Sequence, residues 1–80
     1  MREILTLMVD NTVTKYYIQF EKDRKRFHFQ PTLKNKTAPI FTIRVQNNQL
    51  ITEQDLQEYL AVQAKEKVKE ILSNSVFDKL

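Results

Sequence analysis

From residue 13 to residue 20 the chain alternates in character. Tyr16, Ile18 and Phe20 fall on one side of an extended backbone, and Lys15, Tyr17 and Gln19 fall on the other. Residues 25–30 repeat the pattern, with Phe27 and Phe29 opposed to Arg26, His28 and Gln30. Residues 40–46 repeat it again, with Phe41, Ile43 and Val45 opposed to Thr42, Arg44 and Gln46. A period of two, rich in aromatic and β-branched side chains, predicts half-buried strands. Residues 3–9 are a weaker instance. Leu5, Leu7 and Val9 alternate there with Ile4, Thr6 and Met8, so both faces are fairly apolar. Such a strand suits a central position or one beneath a partner. Short connections join the first three segments, which favours antiparallel hairpins.

The period then changes. Leu56, Tyr59, Leu60, Ala64, Val68, Ile71 and Leu72 follow at spacings of three and four, one apolar stripe on a helix. Thr52-Glu53-Gln54-Asp55 has the form of a capping box, with Asp in place of the usual Glu or Gln. Its carboxylates suit the positive end of a helix dipole. Together these features predict a helix over residues 53–72. Val76, Phe77 and Leu80 then make a short apolar tail. Strands followed by one helix predict an α+β, two-layer domain. Its antiparallel sheet has three to four strands, and the long C-terminal helix packs on one face.

Size constrains that picture. Eighty residues make one small domain spanning 1–80. Four strands at about 4.8 Å spacing form a sheet about 20 Å wide with its side chains. A helix is only about 10 Å across. One helix would leave part of the Phe20, Phe27, Phe29 and Phe41 face uncovered unless the sheet curls strongly, the tail covers it or a second copy docks. That predicts a homodimer, since small scaffolds often complete a core by oligomerising.

Glycine is absent from the chain. Tight turns therefore fall to Asn and Asp, the other residues at ease at positive φ: Asp10-Asn11, residues 21–24, and Asn47-Asn48. Asn47-Asn48 can also start a small extra hairpin that pairs Val45 with Leu50. The same absence removes glycine-rich phosphate loops and the dinucleotide fingerprint. There is no cysteine either, which removes disulfides, thiolate metal sites and a thiol nucleophile. His28 is the single histidine, so no multi-histidine metal site can form, and no cofactor is expected. Glu21 and Asp23 stand among Lys and Arg, neighbours that keep carboxylates ionised. No Ser or Thr stands beside an evident base. The chain reads as non-enzymatic. No apolar run approaches the roughly 20 residues of a membrane span. The apolar stretch before Asp10 is short and broken by Thr6, unlike a secretory segment. A cytoplasmic protein without membrane contact is the expectation.

Charge divides the chain. Residues 1–44 carry nine Lys/Arg against four Asp/Glu; residues 45–80 carry four against six. If the strands form, Lys15, Arg26 and Arg44 project from the face opposite the phenylalanines, with Tyr17 and His28 between them. Arg24 and Lys25 occupy the adjoining turn. Lys and Arg neutralise phosphates and release counterions, and aromatic rings stack on unpaired bases. Lys15, Tyr17, Arg24, Lys25, Arg26, His28 and Arg44 are therefore the candidate nucleic-acid or polyanion contacts. The competing expectation is an interaction or structural protein that docks a protein partner through its apolar sheet face and C-terminal tail.

Overall fold

The computed structural model describes residues 2–33 and 38–73. Five strands precede one helix: β1 (Arg2–Val9), β2 (Thr12–Glu21), β3 (Arg26–Pro31), β4 (Phe41–Gln46), β5 (Gln49–Thr52) and α1 (Glu58–Ser73). The strands form one sheet in the order β1-β2-β3-β4-β5, each antiparallel to the next. The architecture is α+β, as the patterning predicts. The sheet has five strands rather than three to four, because Asn47-Asn48 does turn the chain and pairs Val45 with Leu50.

The turns work without glycine. Asp10 and Asn11 adopt φ of 50° and 63°, and Asn47 and Asn48 adopt 53° and 63°. Positive φ at both central residues is the type I′ geometry, whose twist matches that of the strands it joins. Asn and Asp tolerate it because their short polar side chains bond locally. The β2–β3 turn differs: its positive-φ residue is Lys25, at 53°.

Alternation sorts the side chains as expected. Leu7, Val9, Tyr16, Ile18, Phe27, Phe29, Phe41 and Ile43 point inward and are buried with Leu60, Ala64, Val68 and Ile71 of α1. Phe29 and Phe41 are direct cross-strand partners, and their rings stack with centroids 4.5 Å apart and planes 12° apart. Tyr16 closes on Phe41 at 5.7 Å and on Phe29 at 6.4 Å. Such ring pairs add about 0.5–1.5 kcal/mol beyond area burial.

The argument from sheet width fails. The sheet is curled rather than flat. Phe27, Phe29 and Phe41 are 0% exposed within one chain, and Phe20 packs half-buried at the margin against Phe27. The core therefore does not call for a second copy. The apolar tail, Val76, Phe77 and Leu80, lies outside the described residues.

The helix also begins later than the stripe predicts, at Glu58 rather than residue 53. Residues 53 and 54 serve the sheet instead. Glu53 N donates to Thr42 O at 2.9 Å, which extends the β4–β5 ladder. Gln54 Oε1 accepts from Thr42 N at 2.7 Å. The first helical bonds then run from Leu60 N and Ala61 N to Gln57 O. Leu56 lies ahead of the helix and only partly buries against the core.

Candidate nucleic-acid interface on the outer face

The strand registers fix how the outward side chains meet. One row across the sheet runs Gln19, His28, Thr42. The next runs Glu21, Arg26, Arg44, Ile51. In the opposite direction come Ile4, Tyr17, Gln30, and then Thr6 with Lys15. Lys15, Tyr17, Arg26, His28 and Arg44 thus share one face. Arg24 and Lys25 lie on the turn at its end, both exposed. Two residues of strand separate successive rows, so Lys15 stands about 20 Å from Arg26 along the strands. The basic residues gather at the β2–β3 turn end, and Lys15 stands apart.

Around His28 the polar groups are chained. Its Nε2 is 3.0 Å from Glu21 Oε1, and its Nδ1 is 3.0 Å from Thr42 Oγ1. An ionised carboxylate only accepts, so Nε2 carries a proton, and in the neutral ring Thr42 donates to Nδ1. His28 holds the Glu21 carboxyl below the usual carboxylate range, aided by the charges of Arg24 and Arg26 and opposed by desolvation. Arg24 Nε lies 3.7 Å from Glu21 Oε2. A hydroxyl, an imidazole and a carboxylate in series is the order of an acyl-transfer relay. Here the hydroxyl is withdrawn: Thr42 is 8% exposed. Its backbone N–H is already given to Gln54. The chain of bonds ties β2, β3 and β4 together.

One row further, Arg26 and Arg44 stand directly opposite each other. Val45 N donates to Lys25 O, so this is a pair without mutual backbone bonds, with Cα atoms about 4.5 Å apart. Like charges so placed are destabilising. Glu53 offsets them: its Oε2 lies 2.7 Å from Arg26 Nε and 3.8 Å from Arg44 Nη1. These are contacts of charge. Neither Arg26 Nε nor Arg44 Nε has an aligned hydrogen-bond acceptor, and both atoms are shielded from solvent.

Glu21, Thr42, Glu53 and Gln54 are the members of this face that sequence reasoning missed. Glu21 is seven residues from His28 in the chain and looks remote. A four-residue turn over residues 22–25 sets Glu21 opposite Arg26 and diagonal to His28, and that register was the available signal. Glu53 carried a misleading one, since its place after Thr52 suits a helix start. Among the described residues no group of three or more His, Cys, Asp or Glu could hold a metal ion, and no helix is long and apolar enough to cross a membrane.

Comparison with protein-family models, curated proteins and solved structures gave no significant match for this chain. The outer face carries several cations. Its cations are of two kinds. Arg26 and Arg44 are held against Glu53, and Arg24 faces Glu21. Lys15, Lys22 and Lys25 extend into solvent.

Proposed function

We propose that this chain is a small non-enzymatic binding module that contacts nucleic acid through its outer sheet face. The observation that carries the proposal is the register, which brings Tyr17, Arg26, His28 and Arg44 onto one face beside the basic turn of Lys22, Arg24 and Lys25. The cations neutralise phosphates, and the rings offer stacking that tolerates any base. Lys25 adds support. A lysine at φ 53° occupies a conformation that costs a side chain with a Cβ about 1 kcal/mol, where the other hairpins use Asn or Asp. Strain retained at one position points to use of that side chain. The module suits a reducing compartment such as the cytoplasm, since nothing in it depends on cysteine.

The test is binding of fluorescein-labelled single-stranded and duplex DNA, followed by anisotropy between low and moderate salt. Micromolar or tighter binding at low salt, weakening steeply as salt rises, supports the proposal. Arg24→Glu with Lys25→Glu should abolish binding and leave the circular dichroism unchanged, because both residues are exposed. Tyr17→Ala should weaken single-strand binding more than duplex binding. No binding to either form at low salt would defeat the proposal.

A further inference from the structure

We infer that Arg26 and Arg44 form a discrete oxyanion clamp for a phosphodiester group, with Glu53 as its resident placeholder. The inference rests on the nucleic-acid reading above and adds to it a specific phosphate position. Each guanidinium carries five N–H donors and no acceptor. One Glu53 oxygen is shared between the two groups, and both Nε–H donors lack an aligned acceptor. Taken alone, Arg26, Arg44 and Glu53 keep one net positive charge, which Glu21, opposite Arg26 across the strands, offsets in part; the Nε–H groups are shielded from solvent, so an incoming anion meets the Nη–H donors. The cross-strand pairing fixes both stems side by side on the sheet. Arg26 and Arg44 keep 27% and 37% of their side chains exposed, so the clamp opens outward.

The chemistry favours a tetrahedral oxyanion. Guanidinium planes engage phosphate oxygens in pairs of parallel bonds. Two guanidinium groups at neighbouring strand positions can each take one non-bridging oxygen. Glu53 holds the pair in place when the clamp is empty, by offsetting their mutual repulsion. An incoming phosphate competes with that carboxylate.

The experiment follows the Nε–Hε resonances of Arg26 and Arg44 by nitrogen-15 NMR, assigned with Arg26→Lys and Arg44→Lys. Inorganic phosphate and a short thymidine oligonucleotide are titrated separately. Shifts in both resonances with both probes establish a general oxyanion clamp. Shifts with the oligonucleotide alone establish a clamp that takes the nucleic-acid backbone. If the oligonucleotide binds and neither resonance moves, the clamp is overturned while the nucleic-acid proposal stands. If phosphate moves both resonances and no oligonucleotide binds, the clamp stands and the nucleic-acid proposal falls. If neither probe binds, both fall. Glu53→Gln should tighten oligonucleotide binding several-fold, because the placeholder charge is gone. Arg44→Gln should weaken it about tenfold and lower the salt slope by about 1. Unchanged affinity in both variants, with folding confirmed by thermal melts, would also overturn the clamp.

Discussion

Gln63 of α1 takes both backbone groups of Met8 on β1: Met8 N donates to Gln63 Oε1 at 2.9 Å, and Gln63 Nε2 donates to Met8 O at 3.0 Å. One side-chain amide thus does what a neighbouring strand would do. Among the described residues β1 pairs only with β2, so its other side is an edge. Tyr59, one helical turn earlier, accepts Asp10 N at 2.9 Å on its hydroxyl and extends the same attachment. Free edges invite pairing with other chains, and a helix laid along one protects it. Gln63→Ala should lower stability by about 1 kcal/mol, since a net hydrogen bond contributes about 0.5–1.5 kcal/mol and both here are exposed. Denaturant unfolding checks the size, and faster hydrogen exchange at the Met8 amide checks the place.

The centre of the core is less forgiving. Leu60 is 3% exposed and packs with Ala64, Val68 and Ile71 against the curled sheet. Leu60→Asp should abolish cooperative unfolding, because an unpaired buried carboxylate costs several kcal/mol. The stability of so small a domain is roughly 5 kcal/mol. Phe29→Ala should cost about 3–5 kcal/mol through the lost ring and the cavity beside Phe41. A melt of either variant that matches the wild type would contradict this description of the core.

Tyr16 makes stability depend on alkaline pH. Its hydroxyl donates to Pro39 O at 2.8 Å, fastening the start of β4 to β2. Burial, and after it the neighbouring Tyr59, push the Tyr16 hydroxyl from 10.0 up to about 12. The folded state thus favours the protonated phenol. Its contribution is complete below pH 10.0 and is lost as pH climbs toward about 12, because the unfolded chain releases that proton first. Tyr16→Phe should be less stable than the wild type at neutral pH, by the missing hydrogen bond. The gap should shrink as pH rises through that window. Urea unfolding of both proteins from pH 8 upward measures it, and a constant gap would contradict the assignment.

Period and turn chemistry made most of this fold legible. Every inward residue of β2, β3 and β4 follows from alternation, and Asn47-Asn48 announced β5. Curl was not legible, because alternation states which way a side chain points and not how far neighbouring strands rotate. Strong curl, the tail and a second copy were three ways to cover the phenylalanines, and alternation could not choose among them; the dimer expectation took the third. The helix start misled for a related reason. Thr52 to Asp55 carry good capping chemistry, but Thr42 offers a backbone donor and acceptor that Gln54 and Glu53 take up. A local preference gave way to a long-range pairing. On the outer face, the basic residues were legible one strand at a time. Their carboxylate partners, Glu21 and Glu53, appear only when strands are set in register.

Lys25 gives the functional proposal its sharpest trial, because stability and binding should move in opposite directions there. At φ 53° glycine meets no Cβ penalty, and the left-handed region costs other residues about 1–2 kcal/mol. Part of that gain is returned through the greater freedom of glycine in the unfolded chain. Lys25→Gly should therefore raise stability by about 0.5 kcal/mol. It also removes an exposed cation from the basic end of the outer face. Oligonucleotide affinity should fall at low salt, and the salt slope should drop by about 1. Asn11→Gly is the control. Asn11 also holds a positive φ, 63°, but lies in the β1–β2 turn at the opposite end of β2. It should be neutral to slightly stabilising and leave binding unchanged. A Lys25→Gly protein that melts higher and binds as well as the wild type would show that the strained lysine serves no contact. The basic end of the sheet would then be a solubilising surface only.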